Sequence, residues 1–148
     1  MKYLLGALLL AGGLTLQSNA QGVCVPPDLT VSAIRGRVVS VDGNHPIPEV
    51  KVNVINEEEE EEDKWIVAST VTDDDGNFAF PGIKSGSFYV QAKAFGFVPS
   101  GPRVRLTARS RANRKRAQII IIAVGLDPSI ACGGGYAELR PVKVSNKR

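Results

Sequence analysis

The 148-residue chain carries 18 basic and 15 acidic residues, a length suited to one domain with one core. It has a single histidine, His45, and two cysteines, Cys24 and Cys132. That inventory is too poor in nitrogen and sulfur donors for a zinc centre, and His45 in the turn Asn44-His45-Pro46 lies beside no nucleophile motif.

The chain opens as a secretory signal. Lys2 precedes the apolar run YLLGALLLAGGLTL, and Ser18-Asn19-Ala20 places small residues where a signal is cleaved. Residues 1–20 are therefore expected to be removed, lowering the formal charge from +3 to +2. The expected product is exported (periplasmic or secreted), with no membrane insertion once the signal is gone. A lipid anchor at Cys24 is disfavoured, because Val23 stands where such signals need a small residue.

Residues 21–30 form a short N-terminal segment that carries Cys24. In an exported chain the even pair Cys24 and Cys132 favours an internal disulfide, with two free thiols or an intermolecular bond as the alternatives. Such a bond would close a loop of about a hundred residues and stabilise by roughly 4–5 kcal/mol in the chain-entropy model.

Strand signals then dominate, and no long segment has helical periodicity. VSAIRGRVVSV (31–41) reads as a first strand, and EVKVNVI (49–55) as a second with Val50, Val52 and Val54 on one face. WIVASTVT (65–72), NFAF (77–80), SFYVQAKAF (87–95), RVRLTA (103–108) and AQIIIIAV (117–124) complete a set of seven. The last lacks alternation, as a central strand covered on both faces would. The expected fold is all-β, a seven-stranded antiparallel sandwich over residues 31–124. A C-terminal extension follows over 125–148, in which YAELRPVKV can add an edge strand. The expected core comprises Ile34, Val38, Val50, Val52, Val54, Phe78, Phe80, Ile83, Phe88, Val90 and residues 119–122.

Two charge runs interrupt this pattern. EEEEEED (57–63) holds seven of the fifteen acids and reads as a solvated loop extended by its own repulsion. Arg103, Arg105, Arg109, Arg111, Arg114, Lys115 and Arg116 form the opposite patch, a candidate site for anionic polymers. Nucleic acid is not an expected partner, since the basic run contains no aromatic residue for base stacking. The two patches can also pair with each other, within one molecule or between two.

TDDDGNFAF (72–80) poses a choice between a calcium loop and a hairpin turn. A loop of D-x-D-x-D-G type would need an acid at Val71. The hairpin turn is the alternative reading. No metal or other cofactor is expected.

Larger spacings carry a resemblance. Ile34-x-Gly36-x-Val38 is followed by Gly43-x-x-Pro46-Ile47-x-x-Val50-x-Val52, and then by Thr70-x-Thr72-Asp73-x-x-Gly76-x-Phe78-x-Phe80. Ile83-x-x-Gly86-x-Phe88-x-Val90 and Gly96-Phe97 close the series. This resembles the carboxypeptidase regulatory-like domain, a transthyretin-like sandwich grouped with carbohydrate-binding-like folds. The resemblance implies the turn reading of 72–80, with Gly76 at the positive-φ position and the aspartates, Asp73 first, bonding the turn backbone. It is specific for the fold and says little about activity, and a non-catalytic module is expected because the motifs of the enzymatic relatives are missing. The H-x-x-E zinc motif of the metallocarboxypeptidases is missing, as are the several histidines and terminal Y-R-G-S of the hydroxyisourate hydrolases. VQAKAFGF also lacks the acid that assists an isopeptide bond in the similar collagen-adhesin repeats.

Two functional expectations follow. The first is an exported structural or protein-interaction module of the cell envelope, with an unknown envelope protein as partner, bound through an edge strand or the basic arm. The second is a carbohydrate-binding module with a polysaccharide partner, in which Trp65 and Tyr89 would make the glycan contact and Tyr136 is a lesser candidate.

Overall fold

The computed structural model describes residues 24–42, 45–108 and 117–142, apart from the side chain of Asp63. Within them nine strands form two facing sheets. They are β1 Asp28–Val31, β2 Ile34–Ser40, β3 Lys51–Ile55, β4 Ile66–Val71, β5 Asn77–Phe80, β6 Gly86–Lys93, β7 Arg103–Leu106, β8 Gln118–Val124 and β9 Tyr136–Pro141. The first sheet has the order β1-β7-β6-β3-β4 and the second β5-β2-β8-β9.

The all-β sandwich holds, with two corrections to its detail. There are nine strands rather than seven, and the sheets are mixed, since β1 runs parallel to β7 and β2 parallel to β8. The extra strands come from both ends. The stretch 31–41 is not one strand, because a bend at Ser32-Ala33 carries the chain from one sheet to the other. Val31 thus ends β1 and Ile34 begins β2. The C-terminal segment supplies β9, which pairs antiparallel with β8 and forms the sheet edge.

Alternation along the strands builds the core. Val52 and Val54 of β3, Val90 and Ala92 of β6, and Val104 and Leu106 of β7 face Ile34 and Val38 of β2, Phe78 and Phe80 of β5, and Ile120, Ile122 and Val124 of β8. Phe78 and Phe80 pack with ring centroids 6.2 Å apart at 58°. Ile83 and Phe88 pack against this core while only partly buried. The uninterrupted apolar run of β8 is explained by cover on both faces, because Ile121 and Ala123 form a second buried cluster with Val39, and Ile119 packs against it.

Cys24 and Cys132 are disulfide-bonded, with Cα atoms 5.0 Å apart. The bond ties the segment before β1 to the glycine turn before β9, where Gly133 and Gly134 have φ of 64° and 79°. Among the described residues no helix is long and apolar enough to cross a membrane.

Candidate functional site

The outward face of the five-stranded sheet brings both charge runs together. Residues of β7 alternate, so Val104 and Leu106 enter the core while Arg103 and Arg105 stand on the outer face. Register then fixes their neighbours: Asp28 and Tyr89 flank Arg103, and Thr30 and Ser87 flank Arg105. Tyr89 is in turn opposite Ile55, the last residue of β3, so the chain leaves β3 into the acidic run beside Arg103.

Glu57 closes that gap. The Arg103 guanidinium donates to both carboxylate oxygens, Nε to Oε2 at 2.8 Å and Nη2 to Oε1 at 3.4 Å. The fork geometry makes this the strongest form of surface pairing, but both side chains remain about half exposed. The Glu57 bond raises the Arg103 pKa, and burial raises that of the neighbouring Tyr89 hydroxyl. Around the pair, Glu58, Ser87 and Arg105 help line a depression of about 380 Å³ that carries both signs of charge.

The acidic run is not an extended loop. Asn56 holds it at one end, donating its amide to the Trp65 carbonyl at 2.8 Å and accepting from the Glu58 amide on its side chain at 3.2 Å. A short 3-10 turn, Glu62–Lys64, folds the other end, and Lys64 pairs with Glu61 at 2.6 Å. Backbone bonds shape both ends of the run, and exposed ion pairs join it at Glu57 and Glu61. Of the seven basic residues proposed as an anion site, Arg103 and Arg105 share this face. Arg109, Arg111, Arg114, Lys115 and Arg116 lie outside the described residues, as do residues 1–20, expected to be a signal, and the last six residues.

The aromatic pair is split by β3. Tyr89 sits across β3 on one side, opposite Ile55, and Trp65 bonds on the other side at Asn56. Trp65 is 43% exposed, whereas Tyr89 is half-buried. Tyr136 lies on the other sheet, opposite Ala123.

The turn at 73–77 is closed from within. Asp73 Oδ1 accepts from the amides of Asp75 at 3.0 Å and Asn77 at 2.8 Å, and Oδ2 accepts from the Asn77 side chain at 3.2 Å. Those bonds, led by the Asn77 amide, hold the Asp73 carboxyl below its ordinary pKa. Gly76 has φ of 74°, and a Cβ there would sit 2.6 Å from the Val38 carbonyl, which only glycine avoids. No group of three potential metal ligands occurs among the described residues.

The model of the carboxypeptidase regulatory-like domain fits residues 33–118, more than half of the chain. The chain belongs to that family. Comparison with curated proteins gives no match. The carboxypeptidase regulatory-like domain is a non-catalytic unit, which suggests a module rather than a reaction centre. The match ends at residue 118, where β8 begins, so most of β8, β9 and the disulfide lie outside the matched residues.

Sequence reasoning missed two features of the surface. Glu57 could not be told from its six acidic neighbours, since its partner is 46 residues away. Phe95 is fully exposed in the turn after β6, whereas the pattern SFYVQAKAF predicts a strand through residue 95.

Proposed function

We propose that this carboxypeptidase regulatory-like domain is a non-catalytic, exported module that acts in the cell envelope by binding another protein. The observation that carries the reading is the grouping of exposed apolar side chains. Ile66, Val67 and Val71 are exposed along the edge strand β4 with Trp65 just before it, and Phe95, Leu126 and Ile130 are exposed in the two segments that meet where the Val98 amide bonds the Gly125 carbonyl. Grouped exposed apolar residues mark interaction surfaces more often than scattered ones do. The disulfide suits an oxidising compartment and so supports export.

A second reading, a carbohydrate-binding module, is favoured by one observation, the exposed Trp65 beside the depression-lining loop. Retention on an immobilised polysaccharide panel, at low and high salt, separates the two. Glycan retention that survives salt and is lost on Trp65→Ala or Tyr89→Ala would replace the first reading with the second. Absence of such retention, with capture of a defined envelope protein, would support the first.

A further inference from the structure

The four sheet edges are not alike. β1 and β5 have four residues each, and β9, YAELRP, carries two charges and a proline. Short length, charge and proline are the devices that keep an edge from accepting another strand. β4, IVASTV, has six residues and none of the three protections. Its one strand neighbour is β3, and Ile66, Val67 and Val71 are 50%, 46% and 58% exposed.

The backbone of β4 is set out for a partner. Thr72 donates its amide to the Val50 carbonyl at 3.0 Å, so the main-chain groups of Thr72 and Thr70 turn towards β3. Alternation then points those of Val71 and Ser69 to the open side. The register irregularity is confined to the Ile66 end, leaving 68–71 in regular pairing with 51–54.

Charge selects the occupant. The acidic run 57–63, in which Glu57 pairs with Arg103 and Glu61 with Lys64, precedes β4, and Asp73, Asp74 and Asp75 follow it. A second copy pairing antiparallel through β4 would set the acidic run of each molecule against the aspartates of the other. A parallel pairing would set acid runs side by side. Like charges so placed oppose both arrangements.

We infer that the open edge of β4 is a docking site for an extended peptide strand, apolar in its middle and flanked by basic residues at both ends. The mode is strand addition, with main-chain bonds supplying affinity and the acidic flanks supplying selection. This rests on the interaction-module reading and gives it a surface and a class of partner.

The test titrates the disulfide-bonded protein with the peptide Lys-Lys-Val-Thr-Val-Thr-Lys-Lys and with a twin bearing Glu at every Lys. Backbone amide resonances report where each peptide binds. The expected result is shifts confined to β4 and its acidic flanks, residues 57–75, with the Lys peptide, weakened by salt, and none with its twin. Val71→Lys should reduce affinity by roughly tenfold or more by placing like charge at the edge. Its melting temperature should not change, because the side chain is exposed.

No binding of the Lys peptide, equal binding of the twin, shifts elsewhere, or unchanged affinity in Val71→Lys would each overturn the inference. Self-association through β4, seen as shifts that depend on protein concentration, would also overturn it by making a second copy the occupant. A defined envelope partner held equally by wild type and Val71→Lys would overturn the edge assignment but leave the module reading intact. Salt-resistant, Trp65-dependent glycan retention would remove the module reading itself.

Discussion

Two acidic connections flank the same strand, and they are built by opposite means. The connection after β4 is five residues long and spends its chemistry on itself: Asp73 accepts three hydrogen bonds within the turn, and Gly76 supplies the one backbone conformation that closes it. The connection before β4 is ten residues long, and its decisive bond reaches out of the loop to Arg103, on a strand far along the chain. A local turn can be specified by spacing alone. A loop held by a distant partner depends on the sheet already being in place.

The largest expected effect is on the packing that the short turn presents. The turn delivers β5 with Phe78 and Phe80 pointing into the core, both nearly buried. Phe80→Ala should cost roughly 3–5 kcal/mol, as the cavity left between two sheets cannot collapse fully. Denaturant unfolding measures it. An unchanged midpoint would mean that the inward face of β5 is misassigned.

Gly76→Ala comes next. A residue with a Cβ at φ of 74° carries a left-handed penalty, and here it also pushes on the Val38 carbonyl, which lies on the strand that accepts the turn. The expected loss is roughly 2–4 kcal/mol. Thermal unfolding monitored by circular dichroism gives the value, and a shift no larger than that of an ordinary surface alanine would break the claim that this turn is internally locked.

The Asp73 carboxylate sharpens the comparison through pH. Its folded pKa lies below its ordinary value of 3.8, chiefly because the Asn77 amide and side chain bond the ionised form. A carboxyl with a depressed folded pKa binds its proton more readily in the unfolded chain. Its contribution is complete well above pH 3.8 and is lost as the pH falls through that value towards the lower folded one. Asp73→Asn should therefore lower the melting temperature at neutral pH, and the gap to wild type should narrow under acid. A gap independent of pH would indicate that the carboxylate's charge plays no part in the turn.

How much could be read from the sequence follows the same division. T-D-x-x-G-x-F announces the short turn, and the alternation around Val52, Val54, Phe78 and Phe80 announces the faces of β3 and β5. Each signal lies within a few residues of its effect. The bend at Ser32-Ala33 has neither glycine nor proline, so the sheet change hides inside an apolar stretch, and the parallel pairings of β1 and β2 hide with it. The surface was legible only in composition. Acidic and basic runs were visible, but Glu57 meeting Arg103 required β6 and β7 to pair in register first.

The smallest effect is expected at that ion pair, and it separates stability from shape. Glu57→Gln removes the charge from one side of an exposed pair while leaving an oxygen to accept from Arg103. Exposed pairs contribute little to folding because solvent and salt screen them and two long side chains must be ordered. The melting temperature should stay within error of wild type at physiological salt. The local environment should still respond: with its bidentate partner weakened, Arg103 is freed to swing from the outer face, and the resonance of the adjacent Tyr89 ring should shift. A clear fall in melting temperature together with an unmoved Tyr89 would reverse the comparison, making the long loop a stabilising element like the short turn rather than a surface set in place after the sheet has formed.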